Sequence, residues 1–369
     1  MSAADQQFLQ HAVRLGLRHQ GRTAENPSVG CVLVKNGHVL ATAVTALGGR
    51  PHAETQALAQ AGDAARGATA YVTLEPCAHH GKTPPCAQAL IDAGVARVVY
   101  AVADADARVD GKGAAMLRHA GIDVLHLPIP HAAALHRGFL RRTQHGLPEV
   151  LLKLATSMDG HMRDMHGMSQ WITGPRARQH GHLLRSSVNA MLTGIGTVLA
   201  DDPQLTARLP GDAHPSLLRA VADRQLRLPL TAQLVRTAEM QPTWVFTTPE
   251  AVEMNASHAT ELRERGVVLQ VLEAEAFTPL SMLRALAAHG AARVLVEAGP
   301  VLSTRFLADQ AVDTLYWYRA PVLLGSGGSP AIGPLAVDLA TAERARCVAQ
   351  FSLGDDQCSV YEMPSCLPA

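Results

Sequence analysis

Short apolar runs alternate with helical patterns along this 369-residue chain, and the alternation starts twice. Strands that reach their neighbours through helices build layered α/β domains, with helices covering a sheet. The first series opens with an amphipathic helix over residues 5–20, where Phe8, Leu9, Ala12, Val13 and Leu17 fall near helical spacing. "VGCVLVKNGHVLATAV" follows, two apolar runs about Lys35-Asn36-Gly37 that read as a β-hairpin. Next come a helix over 53–61, a strand at "ATAYVTL", a helix from near Cys86, a strand at "ARVVYAV", a helix around 114–120 and a strand at "IDVLHL". Around His145-Gly146-Leu147-Pro148 the pattern restarts with a strand at "EVLLKLA". Further strands are expected near 188–193, 217–223, 243–247, 267–271, 293–297 and 313–319, with helices between them. Two domains, 1–146 and 147–369, follow, a division in keeping with roughly 150 residues per domain.

Composition narrows the function. Hydrophobic residues at 47% and charged residues at 17% describe a globular protein with material for real cores. A formal net charge of +0 lacks the basic footprint of a nucleic-acid binder. "MSAADQQFLQ" has no basic segment leading into an apolar one, so no signal peptide is expected. The absence of a run of about 18 apolar residues argues against a membrane span. Six scattered cysteines make no disulfide framework, and a cytoplasmic setting is expected. "LLGSGGSPAIG" reads as a flexible Gly/Ser loop that demands no chemistry.

Two of those cysteines stand out. Cys77 and Cys86 lie nine positions apart, downstream of His52-Ala53-Glu54. One nitrogen and two sulfurs, with a fourth position left open, are what a zinc ion needs to activate water. His52 and Glu54 open one helix, and Cys77 follows a strand. Thiolates near helix N-termini gain from the dipole and the exposed amides, which prime them for metal. Glu54, two residues beyond a ligand, would stand beside the ion without binding it and shuttle a proton from water to a leaving amine. Nucleobase deaminases are built on this logic. A structural zinc site would close with a fourth Cys or His, and an isolated His-x-Glu is most often helix surface. Here the three ligand types, the glutamate and the strand-helix context agree. Cys31, Cys347, Cys358 and Cys366 read as small buried hydrophobes.

A second polar constellation runs from Lys153 to Arg208 and includes Ser157, Asp159, Ser169, Trp171, Arg185, Thr197, Asp201 and Asp202. No Gly-x-Gly-x-x-Gly follows the first strand, which argues against a Rossmann dinucleotide site. A phosphate-loop reading of Gly81-Lys82-Thr83 fails as well, because Pro76 stands where the first glycine belongs. "RVLVEAGPVLSTRFL" reads as strand, tight turn and helix, with Gly299 and Pro300 exposing the amides of Val301, Leu302, Ser303, Thr304 and Arg305 as an anion site.

The eight residues between the cysteines, within "CAHHGKTPPC", depart from the two of most nucleoside and tRNA deaminases. This stretch, with "ENPSVGCVLVKNG", resembles the family of bifunctional riboflavin-biosynthesis deaminase-reductases. Lys-x-x-x-Ser-x-Asp-Gly from Lys153, Ser-Gln-Trp-Ile-Thr from Ser169, Thr-Val-x-x-Asp-Asp-Pro-x-Leu-Thr-x-Arg from Thr197 and Glu-Ala-Gly-Pro from Glu297 resemble the same family's reductase half. The resemblance covers most of the chain, with both domains in order. It implies a cytidine-deaminase-like α/β/α sandwich followed by a dihydrofolate-reductase-like α/β domain, one Zn2+ held by His52, Cys77 and Cys86, and NADPH in the second domain. It further implies that Asn26 touches the pyrimidine and that Lys82 is a substrate contact. Ala155, Trp171, Thr197 and Asp201 would line the NADPH site, with its diphosphate on residues 299–305. Ser169, Arg185, Leu205, Arg208 and Glu297 would hold a phosphoribosyl pyrimidine, and Lys153 would polarise the ribose oxygen. A cytoplasmic homo-oligomer is expected. Departures from the family pattern stand at Ala105, Asp106 and Ala107, at His161-Met162-Arg163 and at Arg224, which could pair with the 2′-phosphate of NADPH.

Overall fold

The computed structural model describes residues 2–78, 84–105, 111–211, 214, 216–340, 342 and 344–364. The chain divides into two compact units, Met1–Leu147 and Pro148–Ala369.

The first unit runs α1 (Ala3–Leu17), β1 (Gly30–Lys35), β2 (His38–Val44), α2 (Ala53–Ala61), β3 (Thr69–Val72), α3 (Cys86–Asp92), β4 (Arg97–Tyr100), α4 (Lys112–His119), β5 (Asp123–His126) and α5 (Pro130–His145). Ser2 and Asp5 cap α1 reciprocally, each side chain taking the other's amide. The β1–β2 hairpin turns on Asn36 and Gly37, both at positive φ (52° and 78°), the conformation that its two-residue turn demands. The sheet order is β2-β1-β3-β4-β5, with β2 and β3 antiparallel to β1 and the other pairs parallel. Alternate residues feed opposite cores. Val32, Val34, Tyr71 and Val99 pack with Leu9, Val13 and Leu135 of α1 and α5. Cys31, Leu33, Val72 and Val98 pack with Ala57, Leu90 and Leu117 of α2, α3 and α4. The result is the expected α/β/α sandwich.

The second unit runs β6 (Glu149–Thr156), β7 (His161–Arg163), α6 (Pro175–Ser186), β8 (Ala190–Gly194), α7 (Ile195–Asp201), β9 (Leu218–Ala222), α8 (Gln233–Arg236), β10 (Thr243–Thr247), α9 (Pro249–Met254), α10 (Ala256–Glu264), β11 (Val267–Val271), α11 (Pro279–Ala288), β12 (Arg293–Val296), α12 (Pro300–Ala308), β13 (Thr314–Arg319), β14 (Ser329–Pro330), β15 (Arg346–Leu353) and β16 (Asp356–Glu362). Nine strands form one sheet in the order β11-β10-β9-β8-β12-β6-β13-β16-β15, parallel through β13 and finished by the antiparallel β16–β15 hairpin. The near-continuous burial of β8, β9 and β10 is what a parallel sheet covered on both faces requires.

Four features depart from the expectations. Helix α5 and the β15–β16 hairpin have no counterpart in the sequence reading. The Gly/Ser stretch contributes β14, which pairs with β7, and Asp159 accepts hydrogen bonds from the amides of Leu324 and Gly325 within it. Cys31 and Cys358 are buried as expected, whereas Cys347 is exposed because β15 is an edge strand; Cys366 lies outside the described residues. Among the described residues no helix is long and apolar enough to cross a membrane.

One close approach sets the loop that carries Cys77. A Cβ at Gly113, in the first turn of α4, would sit 1.9 Å from the Pro76 carbonyl oxygen. Buried Glu75 fastens the same contact by accepting from the amides of Gly111 and Ala114. Gly113→Ala is therefore expected to destabilise the first unit by about 1–3 kcal/mol through overpacking. Hydrogen exchange would show faster opening across α4 and no change in β6.

Candidate metal centre and candidate reductase cavity

In the first unit three elements end at one point. His52 is the N-cap of α2, Cys77 follows β3, and Cys86 is the first residue of α3. The ligand atoms of His52, Cys77 and Cys86 all lie within 4.8 Å of one another. His52 Nδ1 stands 3.3 Å from Cys86 Sγ and 3.9 Å from Cys77 Sγ, and the Cys86 amide donates to Cys77 Sγ at 3.3 Å. The thiol of Cys77 is pulled down to about 4, first by the Cys86 side chain and then by His52 and the Cys86 amide. A ring nitrogen and two sulfurs turned toward one space form a donor set that fits zinc.

Glu54 points into the same buried place, and its carboxyl meets the Cys86 thiol. Burial, and then the charge of Cys77, push Glu54 up to about 7, with His52 working the other way. A carboxyl tuned this way can both take and give a proton near neutrality. Asn26 donates its side-chain amide to the Gly49 carbonyl. Lys82 lies outside the described residues, as does Asp106–Asp110 of the segment with the alanine replacements.

In the second unit a cavity of about 530 Å³ opens beside the ends of β6, β8 and β12. Lys153 and Ala155 reach it from β6, and Thr197 and Asp201 from α7. Ser169, Trp171, Arg185, Leu205, Arg208, Glu297, Gly299 and Pro300 complete the part that the sequence picked out. Several of these residues are bonded to one another. The Ser169 hydroxyl donates to Asp201 at 2.9 Å, and Thr197 Oγ1 accepts from the Gly299 amide at 3.2 Å.

Glu297 is the electrostatic centre of this cavity. Arg185 grips it with two hydrogen bonds of 2.8 Å, and Lys153 Nζ stands 3.9 Å away. Burial alone would raise the Glu297 pKa, but Arg185 and Lys153 overcome it and hold the carboxyl at about 2. Burial also lowers the Lys153 ammonium below its ordinary range, against the pull of Glu297.

Helix α12 refines the anion site read from the sequence. Its internal bonding starts where the Ser303 amide donates to Gly299, so the amides of Val301 and Leu302 precede the first intrahelical bond. The Ser303 hydroxyl bonds the Ala298 carbonyl, Thr304 accepts from the Gly333 amide, and Arg305 pairs with Asp309. None of Val301–Arg305 lines the cavity.

Sequence reasoning missed Arg178, His182 and Gln204, which line the wall, although Arg178 and His182 share a helix face with Arg185 at spacings of three and four. Met162 and Arg163, noted only as departures, line it too. Arg224 lies outside the lining, where its guanidinium donates to the Ala274 carbonyl and stacks on Phe277.

Comparison with known proteins agrees with both halves. Residues 2–102 match the cytidine and deoxycytidylate deaminase zinc-binding region, and residues 148–356 match the RibD C-terminal domain. The Riboflavin biosynthesis protein RibD of Escherichia coli (strain K12) is 42% identical over 337 residues, covering 87% of this chain and 89% of that one. A solved structure of Acinetobacter baumannii RibD is 37% identical and superposes with a TM-score of 0.88, covering 98% of this chain and 99% of the other. The Thermotoga maritima diaminohydroxyphosphoribosylaminopyrimidine deaminase/5-amino-6-(5-phosphoribosylamino)uracil reductase superposes with a TM-score of 0.86 at 30% identity, again over 98% of this chain and 99% of the other. The chain belongs to the RibD family of bifunctional riboflavin-biosynthesis deaminase-reductases.

Proposed function

We propose that the chain catalyses two successive steps of riboflavin synthesis. The first unit deaminates 2,5-diamino-6-ribosylamino-4(3H)-pyrimidinone 5′-phosphate hydrolytically. The second reduces the ribosyl group of the resulting aminouracil to ribityl, with NADPH. The observation that carries the reading is the convergence of His52, Cys77 and Cys86 beside a buried Glu54.

Bound zinc supplies a Lewis acid that eases the ionisation of water toward neutral pH. Glu54 takes a proton from the attacking water and passes it to the amine that leaves the ring carbon as ammonia. Its raised pKa suits both halves of that transfer. Asn26 and Lys82 contact the substrate.

In the second unit NADPH supplies the hydride, and the chain holds the reactants together and polarises the acceptor. Lys153 donates to the ribose oxygen while Glu297 keeps its ammonium in place. Ser169, Arg185, Leu205 and Arg208 hold the phosphoribosyl substrate. Ala155, Trp171, Thr197, Asp201 and the turn at Gly299 and Pro300 hold the cofactor, with its diphosphate at the start of α12. The enzyme works as a cytoplasmic homo-oligomer.

The test is a coupled assay on zinc-loaded protein that follows ammonia release and NADPH oxidation separately. Glu54→Gln is expected to cut ammonia release by about 10²- to 10⁴-fold while sparing reduction of supplied aminouracil. Ammonia without NADPH oxidation would remove the reductase half of the reading and turn attention to Met162 and Arg163. Glu297→Gln leaves Arg185 and Lys153 buried without their counter-charge. It should destabilise the second unit by about 3–5 kcal/mol and raise the KM for reduction, with ammonia release unchanged. Urea unfolding and the same assay would check both.

A further inference from the structure

Among the described residues the Lys153 ammonium donates no hydrogen bond. Both Glu297 oxygens accept from Arg185 at 2.8 Å, and Lys153 Nζ stands 3.9 Å from the nearer one, an ion-pair distance too long for a hydrogen bond. Its second neighbour is aromatic. Nζ lies over the ring of Tyr318, 5.6 Å from the centroid. The two partners come from the two strands that flank β6, for Glu297 follows β12 and Tyr318 belongs to β13. Tyr316 is in register with Lys153, so Tyr318, two residues on, shares its face of the sheet.

Tyr318 is fully buried and does not line the cavity. Its hydroxyl lies 2.5 Å from His180 Nδ1, and Cys358 is its cross-strand neighbour on β16. His180 sits on α6, the helix that also carries Arg185. One helix therefore fixes both partners of Lys153, the carboxylate through Arg185 and the ring through His180. The two partners act differently. A carboxylate attracts the ammonium but competes for its protons. The face of an aromatic ring attracts a cation through its quadrupole, without a lone pair to accept the N–H groups.

We propose that Tyr318 is a positioning residue for the reduction, its ring face keeping the Lys153 ammonium charged and in place while the N–H groups stay free for the ribose oxygen. The inference rests on the reductase reading above and adds to it a residue that never meets the substrate. The groups facing Lys153 are Glu297 at the end of β12, Arg185 on α6, Tyr318 on β13 and Cys358 on β16. Burial lowers the proton affinity of Lys153, Glu297 raises it, and Arg185 lowers it again. Burial also pushes the Cys358 thiol up to about 11 and the Tyr318 phenol well above its ordinary range, so neither is charged near neutral pH. Only the protonated amine donates, so reduction is present below the Lys153 pKa and lost as pH rises through it. Taking away the attraction of the ring lowers that pKa and moves the alkaline limb toward lower pH.

The test changes the ring in zinc-loaded, full-length protein and follows NADPH oxidation on supplied aminouracil against pH. Pentafluorophenylalanine at position 318 keeps the shape of the ring and reverses its quadrupole. Tyr318→Leu removes the ring, and Tyr318→Phe keeps it without the hydroxyl. The alkaline limb of kcat should move about half to one pH unit lower with the fluorinated ring and with leucine, and stay in place with phenylalanine. Ammonia release should be unchanged in all three. A limb that the fluorinated ring leaves in place overturns the proposal, and so does one that phenylalanine moves as far. Should leucine fail to fold, the two rings that fill the same space still decide. A second arm needs no turnover. The chain has only Lys35, Lys82, Lys112 and Lys153, so isotope-labelled lysine gives four ε-carbon signals to titrate by NMR, with Lys153→Arg assigning the one of interest. Its midpoint should fall by the same margin with the fluorinated ring, and equal midpoints for the phenylalanine and fluorinated proteins overturn the placement. If the wild type never oxidises NADPH, the reductase reading falls, and this arm still decides whether Tyr318 holds the ammonium.

Discussion

A carboxylate removed from water must be answered by its neighbours, and both sites are arranged around one such group. Glu54 and Glu297 are the same residue type, each largely hidden from solvent, with opposite electrostatic surroundings. Burial, and then the Cys77 sulfur beside it, push the Glu54 carboxyl up to about 7. Around Glu297 stand Arg185 and Lys153, and the carboxyl is held at about 2. One glutamate can therefore exchange a proton near neutrality, whereas the other is a fixed charge. The division of labour between the units follows from those surroundings, in the way that paired carboxyls with separated pKa values reveal acid–base roles elsewhere.

Those surroundings come from the sheets. In both units functional residues gather where parallel strands end and helices begin, the usual place for a site in such folds. Cys77 follows β3 and Cys86 starts α3, so the thiols meet His52 at the start of α2. In the second unit β12 pairs with both β6 and β8, which brings Glu297 next to Lys153 and sets Gly299 against Thr197. Residues more than a hundred positions apart in sequence become neighbours because the strands beneath them hydrogen-bond.

What was legible in the sequence was local. The Asn36-Gly37 turn, α2 and the apolar runs of β8 to β12 declare themselves through short-range pattern, and the metal ligands through residue type and spacing. Helix α5 does not. Its sequence, "PHAAALHRGFLRRTQH", is rich in basic and small residues, and it is held by packing Ala132 and Leu135 against α1 and the sheet. Strand β15 is mostly exposed and exists because β16 supplies its hydrogen bonds. Glu75 and His182 were missed for a related reason. Each acts on backbone groups contributed by a distant segment, which no local pattern announces.

The same reasoning explains why a count of arginines overstates how many are free of the protein's own acceptors. Arg219 is fully buried in β9 and spends its guanidinium on the carbonyls of Gln204, Leu234, Thr237 and Gln241. Arg185 spends two nitrogens on Glu297 and the third on Thr206. Between them these two residues clamp the segment after α7 from both sides. Leu205 sits there at a φ of 51°, a conformation that side chains other than Gly seldom adopt and that fixed neighbours must maintain. Unclamped, the segment would have every reason to relax, and Arg208 would lose its place on the cavity wall. The buried arginines hold the backbone so that the exposed one can face the cavity.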